Sequence, residues 1–288
     1  MGLDRVKLRM TKPASSRKSP KQEPWRCQSQ ADGIITFRLD SWSHFFDFLE
    51  AEVFQPSSSP KHSYIWRGQR HKDWTLSSSI DRQLGTLGLL SLRADDLDRI
   101  LADHLESFKY ATRGRRGPTP ASLLENDWWA LGQHFGLATP LLDWTRSPFA
   151  AAYFAFELNS DPTDCRVVYG LDQNAVKLRN EDLLEGESLE KGRPPVIEFI
   201  DPMSDENQRL VSQGGLFTRA PVGISIEEWV SKEFRGSPAN VLLKIEIPDR
   251  DRLTCLRTLE RMNINHLSLF PDLSGASRYT NLKLELKS

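Results

Sequence analysis

Cysteine is scarce and isolated in this sequence. The 288 residues contain three cysteines, Cys27, Cys165 and Cys255, and none stands near another. A disulfide framework needs a larger, even set, and a structural zinc site needs cysteine or histidine ligands at short paired spacings. We therefore predict three reduced thiols with structural roles.

Long apolar runs are also missing. No stretch reaches the roughly 18 consecutive apolar residues of a membrane-spanning helix, and the N-terminal segment lacks the apolar region of a signal peptide. The sequence predicts a cytoplasmic protein with no membrane partner.

Several familiar active-site motifs are absent. The sequence has no G-x-x-x-x-G-K-[ST] phosphate loop, no G-x-G-x-x-G after a strand, no G-x-S-x-G and no H-E-x-x-H. The histidines show no metal-ligand spacing; they are His44, His62, His71, His104, His134 and His266. These absences argue against the common nucleotide-binding, serine-hydrolase and zinc-protease sites, and we predict no metal.

Charge is distributed unevenly along a chain whose net charge is only -1. Residues 1–30 hold eight Lys or Arg against Asp4 and Glu23, which gives +6 and leaves -7 for the remainder. The stretch KPASSRKSPKQEP has too little apolar surface to offset the entropy lost on ordering. We predict a flexible basic tail at 1–30, which either makes the protein more soluble or contacts nucleic acid.

The hydrophobic pattern mixes strands and helices in irregular order. Strands are predicted at SYIWRG, TPLLDWT, CRVVYGL, PPVIEFI, NVLLKIEIP and the closing LKLEL. Helices are predicted at SWSHFFDFLEAEVF, 92–108, LLENDWWALGQHFG, SPFAAAYFAFELN, DRLTCLRTLERMNI and SGASRYT. Ser147 and Pro148 give the fourth of these a strong N-terminal cap. This order predicts an α+β fold, with a mixed sheet core and several flanking helices, as one domain over 31–288.

Two adjacent tryptophans lie within one of the predicted helices. Neighbouring residues on a helix point about 100° apart, so only one of Trp128 and Trp129 can lie at the centre of the buried face.

Polar residues interrupt otherwise apolar segments at several places. Arg67 ends the run YIWRG, and Gln133, His134, Asp143 and Thr145 lie within ALGQHFGLATPLLDWT. A buried carboxylate needs a cation or several donors, so Arg67 is the natural partner of Asp143. The pair can be purely structural or part of a ligand site, and the sequence leaves both interpretations open.

A third polar element is the segment NQRLVSQGGLFTRAP. It places Arg209 and Gln213 four residues apart near the end of a predicted helix. Gly214 and Gly215 are predicted to terminate this helix. This is either a simple helix stop before a strand or a loop whose backbone amides and Gln213 side chain line a cleft.

Four motifs in order resemble the bacterial FRG-domain family, which is named for an aromatic-Arg-Gly tripeptide. They are YIWRGQ, GQHFGLATPLLDWTRSPFAAAYFAF, RLVSQGGLFT and LFPDLSGASRY, spread over roughly residues 35–288. The aromatic position of the tripeptide is Trp66 here. The family itself implies little chemistry.

A more distant resemblance is to ADP-ribosyltransferases that use an Arg, a Ser-Thr-Ser strand and a Glu. That likeness implies an ADP-ribosyltransferase-like fold with NAD held at Arg67 and Gly68. Asp143, Trp144 and Thr145 take the place of Ser-Thr-Ser, so only Thr145 keeps a hydroxyl. The catalytic carboxylate would be Glu246 or Glu285, and the activity that of a toxin or antiphage effector acting on a macromolecular acceptor.

Two functions therefore remain open. One is an NAD-dependent enzyme, either an ADP-ribosyltransferase or an NAD glycohydrolase. The other is a noncatalytic module in which the same residues, with the basic tail and TRGRRG, bind a nucleotide, nucleic acid or protein. A carboxylate within reach of the Arg67 cleft is required by the enzyme and not by the binding module.

Overall fold

A computed structural model describes residues 24–54, 63–117, 120, 122–159, 163–186, 195–202 and 211–287. Within them a single mixed sheet has helices packed on both of its faces. The predicted α+β class, with a mixed sheet core and flanking helices, is confirmed. No helix in these ranges is long and apolar enough to cross a membrane.

Eight strands form the sheet in the described ranges. They are β1 Trp25–Ala31, β2 Ile34–Leu39, β3 Tyr64–Gln69, β4 Leu141–Thr145, β5 Cys165–Asp172, β6 Glu198–Ile200, β7 Gly215–Arg219 and β8 Leu242–Pro248. Their spatial order is β1-β2-β8-β5-β3-β4-β7-β6, and β2 with β8 is the parallel pair in an otherwise antiparallel ladder. Every residue of β5 is buried, as the apolar run CRVVYGL suggests.

The α-helices in the described residues fall between and after the strands. They are α1 Phe45–Phe48, α2 Ser79–Thr86, α3 Ala94–Ala111, α4 Glu125–His134, α5 Pro148–Phe156, α6 Gln173–Gly186, α7 Ile226–Glu233, α8 Arg252–Arg261, α9 His266–Leu269 and α10 Leu273–Glu285. Helix α1 continues a 3-10 turn at Trp42–His44 and runs into a π-helical turn at Leu49–Val53. Helices α2, α6, α7 and α9 were not predicted from the sequence.

Helix α5 lies against β3 at very short range. The Ser147 hydroxyl caps it by accepting from the Ala150 amide at 3.2 Å, which confirms the predicted helix start. The helix presents small alanine side chains to the sheet, and Gly68 provides the matching space on the strand. A Cβ added at Gly68 would lie 1.9 Å from the carbonyl oxygen of Ala151 and 2.6 Å from the amide nitrogen of Ala155. Gly68 is therefore required for the packing of α5, whatever its relation to a ligand.

The N-terminal boundary of the fold differs from the prediction. Residues 1–23 of the predicted tail lie outside the described residues, but its last part, which was expected to be flexible, forms strand β1. Asp32 and Gly33 connect β1 to β2 with positive φ angles of 48° and 78°. An Asp-Gly pair with both angles positive forms a tight hairpin turn, and this sequence signal was overlooked.

The C-terminal end also differs. The segment LKLEL, predicted as a closing strand, belongs to helix α10. The Asp272 side chain caps this helix by accepting from the Gly275 amide at 2.8 Å. Leu282 is buried while Leu284 is 67% exposed, so the alternating pattern does not correspond to one buried face of a strand.

Candidate functional site

Two adjacent cavities meet at the C-terminal half of β3. The larger, of about 680 Å³, is called the large cleft, and the smaller, of about 300 Å³, is called the small pocket. Arg67, Gly68 and Phe154 line both. Small-molecule sites in proteins have volumes of about 300–1,000 Å³, so both cavities are large enough to hold a ligand.

Arg67 is partly buried between the two cavities. Its NH1 atom donates to the backbone oxygen of Asp143 at 2.7 Å and lies 3.7 Å from the Asp143 carboxylate oxygen Oδ2. Burial lowers the pKa of the Arg67 guanidinium, the nearby Asp143 carboxylate raises it, and Arg82 lowers it. The firmest contact of the Arg67 guanidinium is therefore a peptide oxygen rather than a carboxylate.

Asp143 was expected to be buried, and this expectation is wrong. Its side chain is 63% exposed because it leaves the edge of the small pocket towards solvent. The carboxylate is nevertheless oriented, since the Gln133 amide donates to Oδ1 at 2.7 Å and the Thr139 hydroxyl in turn donates to Gln133. Gln133 therefore does not line the small pocket itself but orients the Asp143 carboxylate at its edge.

Unused hydrogen-bonding atoms are present at the cleft. In the described part of the chain, Arg67 Nε and Gln69 Oε1 are buried without a hydrogen-bond partner. Gln69 is only 6% exposed and lines the large cleft. A buried donor or acceptor left unpaired costs about 1–3 kcal/mol, so these two atoms indicate a place where stability is not optimised.

The large cleft has a mixed charge. Arg67, Arg70 and Arg82 contribute three cations, against the carboxylates of Asp73 and Glu157. The Arg70 guanidinium lies 5.1 Å from the ring centre of Trp74, and Phe154 provides a second aromatic wall. Arginine side chains beside aromatic rings suit an anionic ligand that also carries planar groups.

The small pocket contains most of the residues that the sequence had singled out. Trp66, Asp143, Trp144, Thr145 and Gln213 line it together with the residues shared with the large cleft. They come together because β3 and β4 are neighbours, with Trp66 opposite Thr145.

The hydroxyl and amide groups of this pocket are already bonded. Thr145 Oγ1 donates to the backbone oxygen of Gln213 at 2.6 Å, and Gln213 Nε2 donates to that of Leu269 at 3.2 Å. Trp144 Nε1 donates to Thr218 at 2.8 Å on the far side of the strand. These contacts fix the pocket wall.

Other predicted site residues do not reach the two cavities. His134 lies at the end of α4, with its ring edge against Phe135. Glu246 is a buried strand residue 3.6 Å from Arg38 and 4.0 Å from Lys244. Glu285 was predicted on a strand but lies on α10, where it pairs with Arg252 at 2.9 Å. Arg209 lies outside the described residues.

Several residues of the large cleft were not predicted from the sequence: Gln69, Arg70, Trp74, Arg82 and Glu157. Two of them carried a local signal, since the motif YIWRGQR continues into a second arginine. Glu157 directly follows the apolar run of α5, and its charge at the end of a buried helix could have been noted.

Comparison with known proteins identifies the segment that carries this geometry. Residues 62–164 match the family model described as the FRG domain. No curated protein matched the chain, and no solved structure matched it. The matched segment includes β3, β4 and α5, and with them Arg67, Asp143 and Glu157. The segment that matches the FRG-domain model therefore supplies the strand, the arginine and the helix around which both cavities are built.

Proposed function

We propose that the two cavities bind NAD and that the protein cleaves its nicotinamide N-glycosidic bond, with transfer of ADP-ribose to an acceptor or to water. The observation that carries this proposal is Arg67, a partly buried cation at the shared wall of both cavities with Nε unused. Guanidinium groups bind phosphate oxygens through parallel, charge-assisted hydrogen bonds. A dinucleotide pyrophosphate at Arg67 would leave one cavity for each nucleoside.

The composition of the large cleft supports an anionic ligand. Its three guanidinium groups exceed its two carboxylates by one charge. Trp74 and Phe154 offer aromatic surface for a base, while Gln69 Oε1 offers an acceptor for a ribose hydroxyl or an amino group. These features suit a nucleotide better than an apolar ligand.

The presence of carboxylates favours catalysis over binding alone. Glycosidic cleavage of NAD develops positive charge on the ribose, and an enzyme needs a nearby carboxylate to stabilise that charge or to take up a proton. Asp73 and Glu157 line the large cleft and Asp143 lines the small pocket. These three carboxylates support the enzyme hypothesis in place of Glu246 and Glu285, which line neither cavity.

The TRGRRG loop does not strengthen the alternative of nucleic-acid binding. Arg113 lies 4.2 Å from the Tyr110 ring centre and Arg116 lies 4.6 Å from that of Trp128. The guanidinium groups of these two residues stack on the protein's own aromatic rings.

Calorimetric titration with NAD, ADP-ribose and nicotinamide tests the binding step, and chromatographic detection of free nicotinamide tests the chemistry. Arg67→Ala should weaken NAD binding at least about 10-fold, because a charge-assisted hydrogen bond contributes about 1.5–3 kcal/mol. Arg67→Lys should also weaken it, since lysine keeps the charge but loses the fork.

Arg99→Ala is the matched control, because Arg99 lies on α3 with a side chain 71% exposed and paired only with Asp96 among the described residues. It should bind NAD like the unchanged protein. NAD binding without nicotinamide release would favour a noncatalytic nucleotide-binding module. Failure of the unchanged protein to bind NAD, or undiminished binding by a folded Arg67→Ala variant, refutes the proposal.

A further inference from the structure

Glu157 lines the large cleft together with the arginines. It is the residue after α5, and its side chain is 16% exposed. The C-terminal end of a helix carries partial negative charge, so stability alone would favour a cation at this position. A carboxylate retained there must be compensated by its surroundings.

A buried histidine lies beside this carboxylate. His266 Nδ1 lies 3.3 Å from Glu157 Oε2 and 3.2 Å from the Tyr153 hydroxyl. The imidazole is stacked on Phe270 with ring centres 4.1 Å apart, and its side chain is only 4% exposed. The imidazole nitrogen Nδ1 is hydrogen-bonded to the Tyr153 hydroxyl, and this contact holds the ring beside the Glu157 carboxylate.

Two buried arginines hold the backbone on which Glu157 stands. Arg252 donates to the carbonyl oxygens of Phe156 at 2.9 Å and Glu157 at 2.8 Å. Arg166 donates to those of Ala155 at 2.7 Å and Leu158 at 2.8 Å. Four successive carbonyl groups are therefore bonded to guanidinium groups. The end of α5 is fixed, and the Glu157 side chain is presented to the cleft from a rigid support.

We propose that Glu157, positioned by His266, is the general base that takes the proton of the nucleophile; this inference rests on the proposed NAD chemistry. The bond between ribose C1′ and the nicotinamide nitrogen breaks, and its electron pair stays on that nitrogen, so nicotinamide leaves neutral. An oxygen of water, or of an acceptor hydroxyl group, bonds to C1′, and its proton passes to the Glu157 carboxylate. The proton then returns to solvent through the open cleft.

The central experiment compares binding with turnover in Glu157→Gln, which keeps the size of the side chain and removes its basicity. We expect the Kd for NAD to change less than about threefold, while kcat for nicotinamide release falls on the order of 10²–10⁴-fold. In Glu157→Ala, added formate should restore part of the lost activity, since a small carboxylate can occupy the vacated space. A purely structural role would give no such rescue.

His266 is tested as a positioning residue through the pH dependence of kcat. His266→Asn should lower kcat less than Glu157→Gln does and should move the pH profile of kcat, because the carboxylate loses the imidazole that lies beside it. Glu106→Gln is the matched control, since Glu106 lies on α3 with a side chain 69% exposed and paired with Lys109. It should leave Kd and kcat unchanged.

Each result separates this inference from the proposed function. If the unchanged protein fails to bind NAD, the proposed function fails and this inference fails with it. If NAD is bound and cleaved, but folded Glu157→Gln retains kcat within about threefold, the assignment of Glu157 is overturned while the proposed function stands. If Glu157→Gln does not fold, Glu157→Asp replaces it: this change shifts the carboxylate by one methylene group, so kcat should fall at least about 10-fold, and full activity would overturn the assignment.

Discussion

Replacing Gly68 by alanine tests the packing that places Arg67 at the cleft. The added Cβ would lie 1.9 Å from the carbonyl oxygen of Ala151, whereas Cβ contacts in proteins essentially never fall below 3.0 Å. Helix α5 or strand β3 must therefore move by about 1.1 Å, the difference between these two distances. The obstructing atoms belong to the helix backbone, so no side-chain rotation can relieve the contact.

The expected loss in the free energy of unfolding follows from the close packing of α5 against β3. Adding a methyl group to a well-packed interior costs about 1–3 kcal/mol, and a clash with backbone places Gly68→Ala at the upper end. At about 2–4 °C per kcal/mol, a loss of 3 kcal/mol lowers Tm by roughly 6–12 °C. Urea unfolding followed by tryptophan fluorescence measures the free energy of unfolding, and differential scanning fluorimetry measures Tm.

Gly85→Ala is the control for the glycine-to-alanine change itself. Gly85 is exposed within α2, and the nearest atom to an added Cβ is the flexible end of Leu90 at 3.4 Å. Alanine is favoured over glycine inside a helix by roughly 0.5–1 kcal/mol, so this variant should be as stable as the original or more so. A loss below about 0.5 kcal/mol in Gly68→Ala would refute the packing argument.

Two further predictions concern tryptophan and cysteine side chains. Trp129 is 1% exposed, whereas Trp128 is half-buried, so alanine at Trp129 should cost about 3–5 kcal/mol in urea unfolding and alanine at Trp128 clearly less; equal losses would contradict the placement of α4. Burial raises the pKa of the Cys165 thiol to about 11 and raises that of Cys255 as well, whereas Cys27 is exposed. Ellman's reagent at pH 8 should therefore label Cys27 rapidly in the native protein and all three thiols only after denaturation; rapid labelling of all three in the native state would show that the core is more open than described.

Local sequence signals were sufficient for most elements but not for their limits. Ser147 and Pro148 predict the start of α5, and the cap forms as expected because capping depends on residues within one turn. The Asp32-Gly33 turn was an equally local signal that would have revealed the first hairpin. The LKLEL segment fits both a strand and a helix by pattern, so it could be decided only by the cap at Asp272 and by packing.

Part of the candidate site was predictable in composition but not in geometry. Arg67, Asp143, Thr145 and Gln213 stood out as polar residues in apolar segments, and the structure places all four around the small pocket. Their contacts differ from expectation, since Arg67 bonds to the Asp143 backbone while the Asp143 carboxylate is exposed. Sequence shows which side chains are unusual, whereas strand pairing decides which of their atoms meet.

The sequence by itself determined the α+β class, the capped start of α5 and the aromatic-Arg-Gly strand, because each depends on residue type and short spacing. Only the tertiary structure decided that Glu157, rather than Glu246 or Glu285, lines the cleft with Arg67. The histidine that faces this carboxylate also contacts Tyr153, 113 residues earlier in the chain. No local pattern encodes such a contact, because it exists only once α5 and α9 have packed on the same face of the sheet.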